Sequence, residues 1–210
     1  MPSSTFFNLA PEKQEKLLSA AVREFTERPY NEASINRIVR EAGIPRGSFY
    51  MYFRDKEDLF RYLVQESIQE LLVVFEEILR GRNGDVFAAL PDMYDYLRSH
   101  PAADCGLGGP GMMSAIVNRN GGLQKGGLLE FVEPELILER MEDCVNPDLL
   151  DLREPEDLGY ILRTLIILAV PVMYNGLRPG ADPDGRKRLE HVLQIVRRGM
   201  GAKPASAQQK

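Results

Sequence analysis

Apolar residues over the first eighty positions recur at helical spacing. Leu17, Leu18, Ala21, Val22 and Phe25 form one stripe, and Pro11 stands where a first helical turn tolerates a missing amide. The run Arg28-Pro29-Tyr30-Asn31 stops that helix. Ile35, Ile38, Val39 and Ala42 then fall at i, i+3, i+4 and i+7, the buried face of a second helix. Ser34 is expected to cap it by accepting from free first-turn amides, and Gly43 to end it in a left-handed turn. A short third helix is predicted from near Pro45 to about Tyr52, with Phe49 and Phe53 turned inward. Asp55 caps a long fourth helix, running to about Arg80, whose apolar face carries Leu59, Leu63, Leu71, Leu72, Phe75 and Leu79.

The helical period continues with no convincing alternation of strands, so the fold class is all-α. Val86, Phe87, Leu90, Met93, Tyr94 and Leu97 make one helix after Asp85. Leu128, Leu129, Val132, Leu136 and Met141 suggest another, bent or broken near Pro134. Two more are expected over about Glu156–Leu177 and Pro183–Gly199, the first apolar nearly all round from Leu165 to Met173 and therefore deeply buried. Beside it, the final helix carries a narrower stripe. Leu165, Leu168 and Val172 with Leu189, Val192, Leu193 and Val196 suit a four-helix interface between two copies of the chain; packing within one chain is the alternative. The tail after residue 200 reads as disordered.

Between these helices lies residues 101–127, with eight glycines, read as a flexible or surface segment. Gly106, Gly108 and Gly111 satisfy G-x-G-x-x-G, but no strand precedes them, so a dinucleotide site is not expected. Residues 130–157 hold eleven Asp/Glu against Arg140 and Arg153, a solvated face or the rim of a pocket for cations. Met112, Met113, Phe131, Met141, Met173 and Tyr174 could line an adaptable apolar cavity, with ordinary core as the alternative.

Composition changes the picture little: 210 residues, 44% hydrophobic and 27% charged, are ordinary for a globular protein. Cys105 and Cys144 are far apart and lack metal spacing, which fits a reducing compartment and no metal centre. The opening residues lack a signal-peptide pattern, and Leu165–Tyr174 is too short to cross a bilayer, so a cytoplasmic protein without a membrane partner is expected. His100 and His191 lie in different helices without a nucleophile partner, and no phosphate loop appears. No catalytic residue and no cofactor is assigned, and an enzyme is not expected.

Charge is more informative locally. The net charge is -5, and residues 1–60 balance nine Lys/Arg against nine Asp/Glu. Within residues 37–56, however, Arg37, Arg40, Arg46, Arg54 and Lys56 face only Glu41 and Asp55. A small basic footprint can sit on an acidic protein. Here it coincides with the stretch GIPRGSFYMYF, residues 43–53. Two short helices joined by a glycine turn and braced by a first helix form a helix-turn-helix, whose second helix enters the DNA major groove N-terminus first. In that geometry Gly47 leaves room for DNA, Arg46 and Ser48 offer donors to bases or phosphates, and Tyr50, Tyr52 and Lys56 reach phosphates. An aromatic-rich core helix, or a helical module that binds a protein without reading DNA, remains the competing explanation.

Residues from about Lys13 to Leu63 resemble the DNA-binding domain of the tetracycline-repressor (TetR/AcrR) family. The likeness is carried by AAVREF, ASINRIVREAGI and RGSFYMYFRDKEDLF, in order and at the family's spacing. Pro29 departs from it, standing where a glycine is common. The resemblance implies contacts to DNA from Arg46, Gly47, Ser48 and Tyr50, and to phosphates from Tyr52, Lys56, Ser34, Asn36 and Arg37. It further implies a homodimer on a palindromic operator, usually a repressor, released when a small molecule binds the C-terminal part. The domain organisation expected is 1–54 for DNA binding, 55–200 for ligand binding and dimerisation, and 201–210 as tail. Effector, operator and sign of regulation are not written in the sequence.

Overall fold

The computed structural model describes residues 2–100, 110–119, 134–176, 180 and 183–199, and every regular element among them is helical. In chain order these are α1 (Ser4–Phe7), α2 (Pro11–Glu27), α3 (Ile35–Ala42), α4 (Arg46–Tyr52) and α5 (Lys56–Gly81). They continue with α6 (Val86–Ser99), α7 (Pro110–Arg119), α8 (Pro134–Glu142), α9 (Asp157–Gly176) and α10 (Gly185–Arg198), with a 3-10 turn at Pro147–Leu149. The expected tail lies outside the described residues, as does Phe131.

Local chemistry explains most boundaries. Asp55 caps α5 by accepting from the Asp58 amide, and Asp85 caps α6 by accepting from those of Phe87 and Ala88. Gly43 ends α3 at φ 68°, a conformation that costs a side chain dearly and glycine little. The element that periodicity cannot reveal is α1, four residues long. Ser3 anchors it, donating its amide to Tyr52 O (2.9 Å) and its hydroxyl to Met51 O (2.6 Å). Phe6 is thereby driven into the core at 0% exposure, its ring 5.0 Å from that of Phe53.

Two apolar clusters stack along α5. The first gathers Phe6, Leu17, Ala21, Phe25, Ile38, Phe49, Phe53, Leu59, Leu63 and Val64; the second gathers Phe75, Leu79, Tyr94, Leu138, Leu162, Leu165, Leu189 and Leu193. The first cluster also takes in Met112 and Ile116 of α7, which docks against α2 and α5. This corrects two expectations. Residues 110–119 are helical despite the glycine-rich composition around them, because Met112, Ala115 and Ile116 share one buried face. And Met112 belongs to the seam between the N-terminal helices and the rest, not to a ligand cavity. Arg119 closes the seam, donating from Nε to Thr26 O at 3.1 Å.

Pro134 is the first described residue of α8, so the break expected near it falls at the edge of the described residues. Leu128, Leu129 and Val132 lie outside the described residues, as do the side chains of Met113 and Tyr174. Met141 and Met173 are buried in the second cluster. An open groove of about 700 Å³ runs between the end of α9 and the start of α10, lined by Val172, Asn175, Gly176, Gly185, His191 and Val192. None of the described methionines proposed for a cavity lines it.

The α9–α10 pair also departs from expectation. Leu165, Leu189 and Leu193 are almost wholly buried inside the chain's own core, so they cannot form a contact surface with another molecule. Leu168, Val172, Val192 and Val196 are half-buried. Nor is α9 buried all round: Tyr160 and Ile167 are 68% and 71% exposed, and Ile195 on α10 is 38% exposed. Tyr94 of α6 sits behind the crossing of these helices. Its hydroxyl occupies the place of two absent side chains, since a Cβ at either Gly176 or Gly185 would come within 2.3 Å of it. That hydroxyl is buried and has no hydrogen-bond partner among the described residues.

Candidate nucleic-acid interface

The N-terminal helices are locked together by a polar clamp that the apolar pattern does not advertise. Glu24 lies on the buried face of α2 at 4% exposure. Its carboxylate accepts from Arg37 Nε (2.8 Å) on α3, from Arg37 Nη2 (2.5 Å) and from the Ser34 amide (2.7 Å). Burial works to raise the Glu24 carboxyl, but the hydrogen bonds from Arg37 and Ser34 outweigh it and hold the group below the usual carboxylate range. Arg37 also donates to Glu32 O at 2.6 Å. The clamp fixes the angle at which α3, and through Gly43 α4, leaves α2.

Three assignments change as a result. Ser34 stands at the N-cap of α3 but makes no side-chain cap; its amide is taken by Glu24 instead. Arg37 turns its guanidinium back to Glu24, so it braces the motif where a phosphate contact was expected. Lys56 points inward, donating Nζ to Tyr30 O (2.6 Å) and Ala33 O (3.0 Å) with the Tyr30 ring 4.4 Å away. Burial lowers the Lys56 ammonium from its ordinary range. It ties the α2–α3 loop to the start of α5. Tyr52 is half-buried, its ring 6.4 Å from Phe6, and covers α1.

What remains outward is the leading edge of α4. Phe49 and Phe53 anchor it, at 0% and 1% exposure. Arg46, Gly47 and Tyr50 are exposed and Ser48 half-exposed, with Asn36 and Arg40 exposed on the adjoining α3. Nothing lies within 4 Å of the place a Gly47 side chain would occupy, so its absence serves no internal packing. The Arg46 guanidinium donates to Asn36 Oδ1 and to Tyr50 Oη (3.1 Å). Two signals that could have found the clamp were present in the sequence: a glutamate inside an apolar stripe, and an arginine in the next helix.

Comparison with known proteins agrees with this geometry. Residues 17–63 match the family described as bacterial regulatory proteins, tetR family. The HTH-type transcriptional repressor Rv1474c of Mycobacterium tuberculosis is 35% identical over 98 residues, which are 46% of this chain and 51% of that protein. Residues 17–63 are thus a segment of the TetR type. A further relative, the uncharacterized HTH-type transcriptional regulator YdgC of Bacillus subtilis, is 35% identical over 68 residues, 32% of this chain and 35% of that protein. The chain thus matches about half the length, or less, of these relatives. In fold, it resembles the solved structure of the fatty acid degradation regulator FadR from Bacillus halodurans, with a TM-score of 0.55 at 19% identity over 89% of this chain and 98% of that one. The matched TetR segment runs from α2 into α5 and contains the clamp and the leading edge of α4. Among the described residues no helix is long and apolar enough to cross a membrane, and no cluster of metal-ligating side chains occurs.

Proposed function

We propose that this chain is a TetR-family DNA-binding transcriptional regulator that sits as a homodimer on a palindromic operator, represses there, and is released by a small-molecule effector. The observation that carries the reading is the leading edge of α4: Arg46, Gly47 and Tyr50 outward, on a short helix braced from behind by Phe49, Phe53 and the Glu24 clamp. A helix so presented meets the major groove with donors first and little bulk in the way.

The dimer reading rests on the outer face of α9 and α10. Tyr160, Thr164, Ile167 and Pro171 recur at helical spacing and are exposed, beside Ile195. An apolar stripe of this kind on two adjacent helices suits a symmetric partner. Two heads on successive major grooves must stand about 34–36 Å apart. Two connections would transmit a change in that distance: α5, whose 26 residues span about 39 Å, and α7, rooted in the N-terminal cluster. An effector binding one spacing a hundredfold more tightly than the other supplies about 2.7 kcal/mol of bias.

Selection of bound duplexes from a random pool tests the reading. Wild type should recover an inverted repeat, and Arg46→Ala should lose or relax it. Failure of wild type to enrich any sequence at low salt would remove the regulator reading, and saturating effector that leaves operator affinity unchanged would remove the release mechanism.

A further inference from the structure

We propose that Asn36 is a positioning residue that aims Arg46 at a guanine, one per half-site; the inference rests on the DNA-reading role above. Asn36 projects from α3 and Arg46 from the first position of α4. Arg46 Nη1 donates to Asn36 Oδ1, while Nη2 donates to Tyr50 Oη at 3.1 Å, one turn further along α4. The guanidinium carbon lies 5.8 Å from the Tyr50 ring centre. Both partners are neutral, so the positive charge is oriented without being cancelled.

Three consequences follow from donor counting. A guanidinium has five N–H groups, and two are spent, one on each terminal nitrogen. The second hydrogen of each terminal nitrogen remains, a planar fork that matches O6 and N7 of guanine in the major groove. A fork held on both sides is prepared for a pair of acceptors; a phosphate can also present two oxygens to it, but only a base contact carries a preference for one base pair. Asn36, in turn, is poorly placed to read adenine for itself. That contact needs its amide oxygen to accept from N6, and the oxygen already faces a cation. The open space beside Gly47 lets the fork approach the base edge.

The experiment is duplex selection followed by binding titrations at several salt concentrations, for wild type, Asn36→Ala, Arg46→Ala, Arg46→Lys and the Asn36→Ala/Arg46→Ala double variant. All these side chains are exposed, and thermal melts check that each variant folds. Wild type should prefer guanine at one position of each half-site by roughly tenfold to a hundredfold, the range of a good bidentate contact. Both Arg46 variants should lose that preference, since a lysine ammonium cannot reproduce the fork. Asn36→Ala should weaken the preference at the same position several-fold while leaving the slope of affinity against salt unchanged, and should add nothing at that position in the double variant.

A guanine preference that survives Arg46→Ala would overturn the inference, as would a wild-type operator without such a guanine. So would an Asn36→Ala effect that is uniform across bases and lowers the salt slope, which marks a phosphate contact, or one at a different base pair, which marks direct reading by Asn36. Each of these leaves DNA binding intact. Failure of wild type to select any duplex would instead remove the functional reading beneath it.

Discussion

Gly176→Ala puts two opposed effects in direct competition. By helix propensity alone, alanine gains up to about 1 kcal/mol over glycine. Against that, the new Cβ would stand 2.3 Å from Tyr94 Oη, 2.6 Å from Cε2 and 2.8 Å from Cζ. The ring is wholly buried among α6, α9 and α10, so it cannot swing out into solvent. Overpacking of a fixed core site costs about 1–3 kcal/mol, and contact with the hydroxyl and two ring atoms places this site in the upper half of that range. The net expectation is a loss of about 1–2 kcal/mol, or roughly 2–8 °C in Tm for a chain of this size.

Tyr94→Phe provides the control. It deletes the nearest of the three clashing atoms, the buried hydroxyl, which has no partner among the described residues, a situation that costs about 1–3 kcal/mol. Phenylalanine should therefore be neutral or stabilising by about 1 kcal/mol, and the alanine should cost less beside it, with a coupling of at least about 0.5 kcal/mol. Thermal and urea melts of the four proteins at one chain concentration complete the cycle. Additive effects, or a raised Tm for Gly176→Ala alone, would refute the packing argument.

Other expectations concern the N-terminal helices. Burial, with Glu66 adding to it, pushes the Tyr62 phenol from its ordinary 10 up to about 12. Between those values the unfolded chain releases a proton that the folded chain keeps, so stability falls as pH rises through that window; Tyr62→Phe should flatten the fall. Glu24 acts at the other end. Its depressed carboxyl contributes stability above the ordinary value of 4.5 that is lost as pH drops through its folded value, and Glu24→Gln should remove this acid limb from the melting profile. Lys56→Met should cost about 1–3 kcal/mol of stability and leave the salt slope of DNA binding alone, because its ammonium serves two carbonyls. With Arg37, Arg54 and Lys56 committed internally and Arg46 assigned to a base, Arg40 is the cation of that footprint left for a phosphate in each copy of the proposed dimer. Two copies then give a slope of log affinity against log salt on the order of -2, and a much steeper one would reveal further phosphate contacts.

How much of this could be read beforehand depended on sequence distance. The turn at Gly43, the cap at Asp55 and the inward Phe49 and Phe53 follow from residues a few positions apart, and all were legible. Ser34 looked like a cap by the same local logic, but a buried carboxylate ten positions earlier claims its amide. Arg37 and Lys56 read in the sequence as part of the basic footprint, because pairing across helices does not show in a window. The family resemblance pointed to the α3–α4 surface without distinguishing the side chains exposed on it from those that hold it still. Composition misled at α7, where surrounding glycines hid a ten-residue helix, and at α9, where unbroken apolarity suggested burial on every side although Tyr160 and Ile167 lie open.

The seating of Met112 and Ile116 has a practical consequence for anyone wishing to exchange the reading heads of such regulators. The cluster they complete is assembled from residues before 65 and from a segment beyond 110, with all of α6 intervening in the chain. A chimera spliced at residue 54 would carry a foreign head onto a socket shaped for the original one. The transplantable unit is therefore discontinuous, and a working graft must bring α7, or at least its apolar face, along with α1 to α4.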